Sequence, residues 1–258
     1  MAALIVNELV LSYGSKKILD DASLVVNNGE ILCIWGPSGE GKSTLLKVIA
    51  GLQKAQSGRI TILGSPAEML YPSALDPVRR KMGFVFQNNA LTSNLKVYDN
   101  IALPLRYHQL DDEEGIAIRV KNVLNTMLVE EYASAFPYEL SLGIQRRVAV
   151  ARALVLDPDI LLMDEPTSGL DFLSRLSLLS LISNINQLRK VTVVIVTHDL
   201  NLPIELDAKI SIFNKGKLSE PSPAIEMKEI KNPFLDELRI EMNIHKKRIE
   251  RLSAPSVD

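Results

Sequence analysis

The sequence predicts an α/β fold, a sheet of parallel strands interrupted by a helical insertion. Three observations predict it. A short apolar run, Ile31 to Trp35, passes through a glycine-rich loop into a helical stretch rich in Leu, Val and Ile, Ser43 to Gly51. Strand and helix patterns alternate again from Ile160 to Phe213. Between these regions, from about Asn88 to Val155, the apolar spacing is mainly helical.

The elements follow in order. Ala3 to Tyr13 reads as a strand closed by the turn Gly14-Ser15, and a second apolar segment lies around Leu24 to Val26. The turn Asn27-Asn28-Gly29 precedes the Ile31 run. Helical spacing is clearest across Glu113 to Val129 and Leu142 to Val155. Then come a strand at Ile160 to Met163, a helix at Leu173 to Leu188, and strands at Val191 to Thr197 and Asp207 to Phe213, the last closed by a turn at Asn214 to Gly216. Ser219 to Pro223 reads as a boundary, with Ser222 and Pro223 expected to cap a helix of about two turns reaching Ile230. A further helix start stands at Asn232-Pro233. After it, Leu235, Leu238, Met242, His245, Ile249 and Leu252 alternate in steps of three and four, the spacing of a short helix–helix seam.

Composition narrows the function. Lys and Arg number 29 against 31 Asp and Glu, a net charge of −2, which excludes a generally basic nucleic-acid binder. The chain is 47% hydrophobic and 23% charged, so it buries a large core and is not a disordered segment. Its apolar runs are too short for a membrane span, and Asn7 and Glu8 break the N-terminal run too early for a secretory signal, so a cytoplasmic protein is expected. The one cysteine, Cys33, allows no internal disulfide and argues against structural zinc; its apolar neighbours predict a buried thiol.

Gly36-Pro37-Ser38-Gly39-Glu40-Gly41-Lys42-Ser43 matches G-x-x-x-x-G-K-[ST], directly after a strand and before a helix, with Thr44 next. The glycines let backbone N–H groups turn toward phosphate oxygens, and the helix N-terminus adds positive potential. Lys42 reaches the β- and γ-phosphates, and the Ser43 hydroxyl serves Mg²⁺. A second element supports a nucleotide site: the apolar strand Ile160 to Met163 ends in Asp164-Glu165. Strand alternation sends neighbouring side chains to opposite faces. On that reading Asp164 faces the metal while Glu165, one residue on, approaches the water that attacks the γ-phosphate.

With these motifs in place, residues 4 to 230 resemble the ATP-binding cassette (ABC) ATPases. The resemblance extends to Gln87, to Glu139 through Arg147, to Ser168-Gly169-Leu170-Asp171, and to His198, in that order along the chain. It implies a cassette with a P-loop parallel-sheet core, an antiparallel β subdomain and a helical insertion at about 88–155, followed by a C-terminal helical extension at 231–258. It implies that the chain is an ATPase using ATP and Mg²⁺: Tyr13 stacks on adenine, Gln87 links Mg²⁺ and water to a coupling surface, and His198 contacts the γ-phosphate. Two copies close head to tail, the Ser141 and Gly143 end of one cassette meeting the triphosphate held by the other, with Asp171 at the seam. Where the family pattern is Leu-Ser-Gly-Gly-Gln, this chain has Leu140-Ser141-Leu142-Gly143-Ile144. The expected consequence is weaker closure.

The stretch Asn89 to Arg106, followed by Tyr107-His108, together with Arg146-Arg147, is similar to the Mla-type cassettes that drive lipid transport with mammalian-cell-entry (MCE) proteins. That resemblance implies a peripheral location on the cytoplasmic face of the membrane, two permease subunits, an MCE-type lipid-binding partner and a small regulatory subunit. A permease helix would dock near Gln87 to Leu105. In such a complex the seam at 235–252 would pair the ATPases or bind the regulator; the alternative is a helix folded on its own core. Lys246, Lys247, Arg248 and Arg251 read as a solvated face. A cassette of another transporter, or a nucleotide-controlled scaffold, is the competing reading.

Overall fold

The computed structural model describes residues 1–67 and 76–228 of the chain. The chain divides into two compact units, Met1–Ala224 and Ile225–Asp258. Of the second, only the end of a 3₁₀ turn, Ala224–Lys228, is described; the helix start at Asn232-Pro233 and the seam at 235–252 lie outside the described residues.

The first unit opens with a long hairpin, β1 (Ala2–Tyr13) and β2 (Lys16–Asn27), turned at Gly14-Ser15. With β4 (Ser57–Ile62) and β5 (Ser65–Pro66) it makes an antiparallel sheet in the order β2-β1-β4-β5. β3 (Ile31–Trp35) starts the second sheet and feeds α1 (Lys42–Ile49). After α2 (Asp76–Arg79) and β6 (Met82–Val85) come α3 (Val97–His108), α4 (Glu113–Thr126) and α5 (Leu142–Leu154), so three helices stand between β6 and its parallel neighbour β7 (Ile160–Asp164). α6 (Phe172–Arg189), β8 (Thr192–Thr197), α7 (Leu202–Glu205), β9 (Lys209–Asn214), β10 (Lys217–Leu218) and β11 (Ser222–Pro223) complete it. The second sheet runs β10-β9-β3-β8-β7-β6, parallel from β9 to β6.

The central strands are apolar on both faces because both are covered. Every residue of β3, β7 and β8 is buried. Alternation splits them between two cores. Cys33, Leu161, Met163, Val193 and Ile195 pack on the side of α3 to α6, whereas Leu32, Ile34, Leu162, Val194 and Val196 pack on the side of α1 and the antiparallel sheet. Cys33 is the buried thiol expected, and burial pushes its pKa up. Among the described residues no helix is long and apolar enough to cross a membrane.

Ser222 and Pro223 do not cap an α-helix. They pair with Ile210 and Lys209 as β11, and Ala224 N–H donates to the Ala208 carbonyl, so the backbone continues as sheet edge before the 3₁₀ turn. Pro223 is tolerated because an edge position needs no second N–H donor. β4, β6 and α7 were not foreseen; they are short, and β4 and β6 each carry an interior glycine, Gly58 and Gly83.

Candidate active site

Four neighbouring parallel strands deliver the motifs to one edge. Trp35 is level with Thr197, Val196 with Asp164, and Met163 with Val85. Just past these strand ends stand Gly36, His198 and Glu165, read across β3-β8-β7, with Gln87 two residues beyond the end of β6. Open α/β sheets bind ligands in the crevice beyond the carboxyl ends of their strands.

The loop 36–43 is shaped by close approach. A Cβ on Gly36 would lie 2.3 Å from the Phe213 carbonyl oxygen of β9, and one on Gly41 would lie 2.5 Å from Ile18 Cγ2 of β2. Gly41 also holds φ +116°. The Gly41–Ile18 contact lays the first hairpin over the loop, and Tyr13 ends the first strand of that hairpin, 56% exposed, its hydroxyl hydrogen-bonded by the Gln53 side-chain amide. Ser38, Gly39 and Glu40 form the turn into α1, where Thr44 follows Ser43 in the first helical turn.

Lys42 is buried, its ammonium donating to the Gly36 and Pro37 carbonyls at 2.7 and 2.8 Å. Burial lowers its pKa, opposed by the charges of Glu165, Asp164 and Glu40. Ser43 Oγ donates to Asp164 Oδ1 at 2.8 Å. Burial raises the Asp164 pKa, partly offset by that hydrogen bond. A hydroxyl and a carboxylate paired beside a phosphate loop are hard oxygen ligands, a donor set that suits Mg²⁺ completed by phosphates and water.

Strict alternation fails at Glu165, and the failure serves the site. Its φ is +47°, so the chain turns out of the strand there while its N–H still donates to the Val196 carbonyl at 3.0 Å. Glu165 is therefore not turned to the face opposite Asp164. One carboxylate oxygen lies 4.0 Å from Lys42 Nζ and the other 2.9 Å from His198 Nδ1.

His198 is held through its backbone neighbours. Its carbonyl accepts from Trp35 Nε1 at 2.9 Å. The next residue, Asp199, is gripped by Arg175 of α6 at 2.7 Å, and Arg175 also pairs with Glu205. Trp35 and Arg175 were not singled out from the sequence. A tryptophan ending a strand looks like core, and Arg175 lies far from Asp199 along the chain.

Gln87 is exposed in the turn after β6, and its backbone is pinned from α5: Arg146 donates to the Phe86 and Gln87 carbonyls at 2.9 and 2.8 Å, and Arg152 to those of Ala90 and Asn89. A signal was available. Arg146, Val150 and Leu154 recur every four residues on one buried stripe, and a cation there needs partners.

Ser141 and Gly143 stand at the start of α5, away from the loop in sequence and on a different layer. The Ser141 hydroxyl caps the helix by accepting from Ile144 N–H at 3.4 Å, and a Cβ on Gly143 would come within 2.8 Å of Ser174 Oγ of α6. Leu142 is 42% exposed and reaches toward Gly169, where a Cβ would meet its Cδ2 at 3.1 Å; Ile144 packs against the core. Asp171 caps α6, accepting from Ser174 N–H at 3.0 Å.

A family model described as ABC transporter matches residues 19–168. A probable sulfate/thiosulfate import ATP-binding protein of Chlorella vulgaris is 37% identical over 88% of this chain and 94% of its own length. A spermidine/putrescine import ATP-binding protein of Pasteurella multocida is 36% identical over 90% of this chain, which spans 62% of that relative. A methionine import ATP-binding protein of Clostridium tetani is 38% identical over 80% of this chain and 65% of its own length. Among solved structures, the dimeric bacterial ABC transporter cassette MJ0796 superposes with a TM-score of 0.79 at 32% identity, covering 86% of this chain and 98% of the cassette. The same cassette is known in a post-hydrolysis dimer bound to ADP and Pi.

Proposed function

Because the chain belongs to the ABC transporter family and carries its ATPase domain, we propose that it is the ATP-hydrolysing subunit of a membrane import complex, acting as a homodimer on permease partners. The observation that carries this reading is the convergence of Lys42, the Ser43–Asp164 pair and the Glu165–His198 pair at the ends of adjacent strands. Phosphoryl transfer needs chiefly positioning and charge neutralisation, and this set supplies both.

In the proposed reaction the amides of residues 36–43 and the Lys42 ammonium receive the β- and γ-phosphates, and Tyr13 stacks on adenine. Ser43 and Asp164 would hold Mg²⁺, with Gln87 as a further oxygen ligand, and the ion would neutralise charge on the transferring group. Glu165 orients the attacking water and accepts its proton. His198 contacts the γ-phosphate and steadies the carboxylate of Glu165. Ser141 and Gly143 of a second subunit meet the same triphosphate, so ATP closes the pair and cleavage opens it. Arg146 and Arg152 tie the Gln87 loop to the helix that carries Ser141, linking the nucleotide site to the permease-facing insertion.

The import direction follows the descriptions of the relatives, which are sulfate/thiosulfate, polyamine and methionine importers. The solute is set by the permease, which the cassette does not form. Lipid traffic with an MCE-type partner rests on the resemblance of residues 89–108 and Arg146-Arg147, and these relatives lend it no support. Residues 231–258 belong to this proposal as a C-terminal extension that joins the subunits. The protein sits peripherally on the cytoplasmic face, held by the permease. Copurification from membranes in mild detergent tests the assignment: a permease whose solute stimulates ATP hydrolysis is expected. Recovery without any permease overturns the import motor, and recovery of an MCE-type protein favours lipid traffic.

The altered signature has a measurable consequence. Leu142→Gly with Ile144→Gln is expected to tighten ATP-driven dimerisation about fivefold, ~1 kcal/mol, in sedimentation measurements. Since Leu142 is exposed while Ile144 packs on the core, Leu142→Gly alone should give most of the gain. An unchanged dimer affinity would show that these side chains do not hinder closure.

A further inference from the structure

Trp35 is the one tryptophan of the chain, it is buried, and it ends the strand that becomes the phosphate loop. A buried indole N–H needs an acceptor, and Trp35 Nε1 donates to the main-chain carbonyl of His198, at 2.9 Å. The next residue, Gly36, bonds the same segment, its N–H donating to the Thr197 carbonyl at 3.3 Å. Two successive residues at the loop entrance thus hold the two carbonyls that flank the residue whose imidazole meets Glu165.

We propose that Trp35 is a positioning residue for hydrolysis: its indole N–H holds the His198 carbonyl, fixes the backbone from which the imidazole reaches Glu165, and passes displacements of the nucleotide loop to that histidine. The Arg175–Asp199 pair anchors the far side of the same segment, so the bonds from the loop side, the indole at the His198 carbonyl and the Gly36 N–H at that of Thr197, are the restraints that respond to the loop. His198 is half-exposed, with 54% of its side chain accessible, and neighbouring packing alone does not fix its ring. The inference rests on the reading of His198 as a group acting at the γ-phosphate.

The test is a double-mutant cycle. Trp35→Phe keeps a smaller aromatic ring and removes the donor; kcat is expected to fall about tenfold, with KM for ATP changed by less than about twofold. In a His198→Ala background the same substitution should add no further loss, because its effect passes through the imidazole. A wild-type kcat in Trp35→Phe, with His198→Ala impaired, overturns the proposal and leaves the role of His198 standing. A wild-type kcat in His198→Ala overturns the role of His198 and the proposal with it. Multiplying losses in the double variant also overturn it, since Trp35 would then act elsewhere. If Trp35→Phe does not fold, the intact protein supplies the reading: its single indole can be followed by ultraviolet resonance Raman spectroscopy, whose ring modes register N–H hydrogen bonding. A bonded N–H is expected in the resting protein and in His198→Ala, and a changed signature when Glu165→Gln is saturated with Mg-ATP. A free N–H at rest, or no change with nucleotide, overturns the proposal.

Discussion

Glu165→Gln is expected to lower steady-state ATP hydrolysis by about three orders of magnitude while leaving ATP binding intact. Glutamine matches glutamate in shape and can occupy the same φ of +47°, so the turn after β7 survives. It can still meet His198 across the present 2.9 Å contact. It cannot take a proton from water. The γ-phosphate then stays uncleaved, and with it the contact that closes two subunits, so the variant should accumulate as an ATP-loaded dimer. Single-turnover hydrolysis together with sedimentation in Mg-ATP checks both effects. Turnover within about tenfold of wild type would remove Glu165 from general-base chemistry. Blocked hydrolysis with ATP bound and no accumulated dimer would overturn the closing mechanism.

Gly41→Ala is expected to weaken ATP affinity about a hundredfold, ~2.7 kcal/mol. Two separate costs act at this position. A Cβ would sit 2.5 Å from Ile18 Cγ2, and the backbone holds φ +116°, a conformation that side chains rarely adopt. Because Gly41 is the N-cap of α1, relieving either cost moves the helix start that carries Lys42 and Ser43. Ile18→Ala in the same chain should remove the steric part and recover only a fraction of the affinity, leaving the backbone cost, about 1–3 kcal/mol. Calorimetric titration with ATP separates the two. Full rescue by Ile18→Ala would show that the dihedral carries no cost; no rescue would show that the methyl contact carries none.

Much of the site was legible because it is local. The loop 36–43 announces itself through glycines, lysine and serine at fixed spacing, and the structure shows two reasons for those glycines, a carbonyl of β9 at Gly36 and a methyl of β2 at Gly41. Asp164 was legible as the acid ending an apolar strand, and its bond to Ser43 joins two motifs far apart in the chain. Glu165 was legible in identity and misjudged in direction. Period-two alternation assumes extended backbone, and a left-handed residue at the strand end breaks that assumption.

Other groups were illegible for a common reason. Trp35 and Arg175 have ordinary neighbours in sequence and gain meaning from a carbonyl or carboxylates that the fold brings to them. The short edge strand Ser222–Pro223 was read as a helix cap because serine and proline suit both roles, and only the exposed edge of β9 selects between them.

By itself, then, the sequence determined the chemistry on offer: a phosphate loop, two acids, a histidine, and a strand–helix alternation able to line them up. These are properties of short segments, where spacing and side-chain type suffice. The tertiary structure decided which side chains meet. The parallel register of β3, β8, β7 and β6 puts four strand ends at one level, and burial then requires each enclosed donor to find an acceptor. Such partners come from distant parts of the chain, and that is why they follow from packing and not from the order of residues.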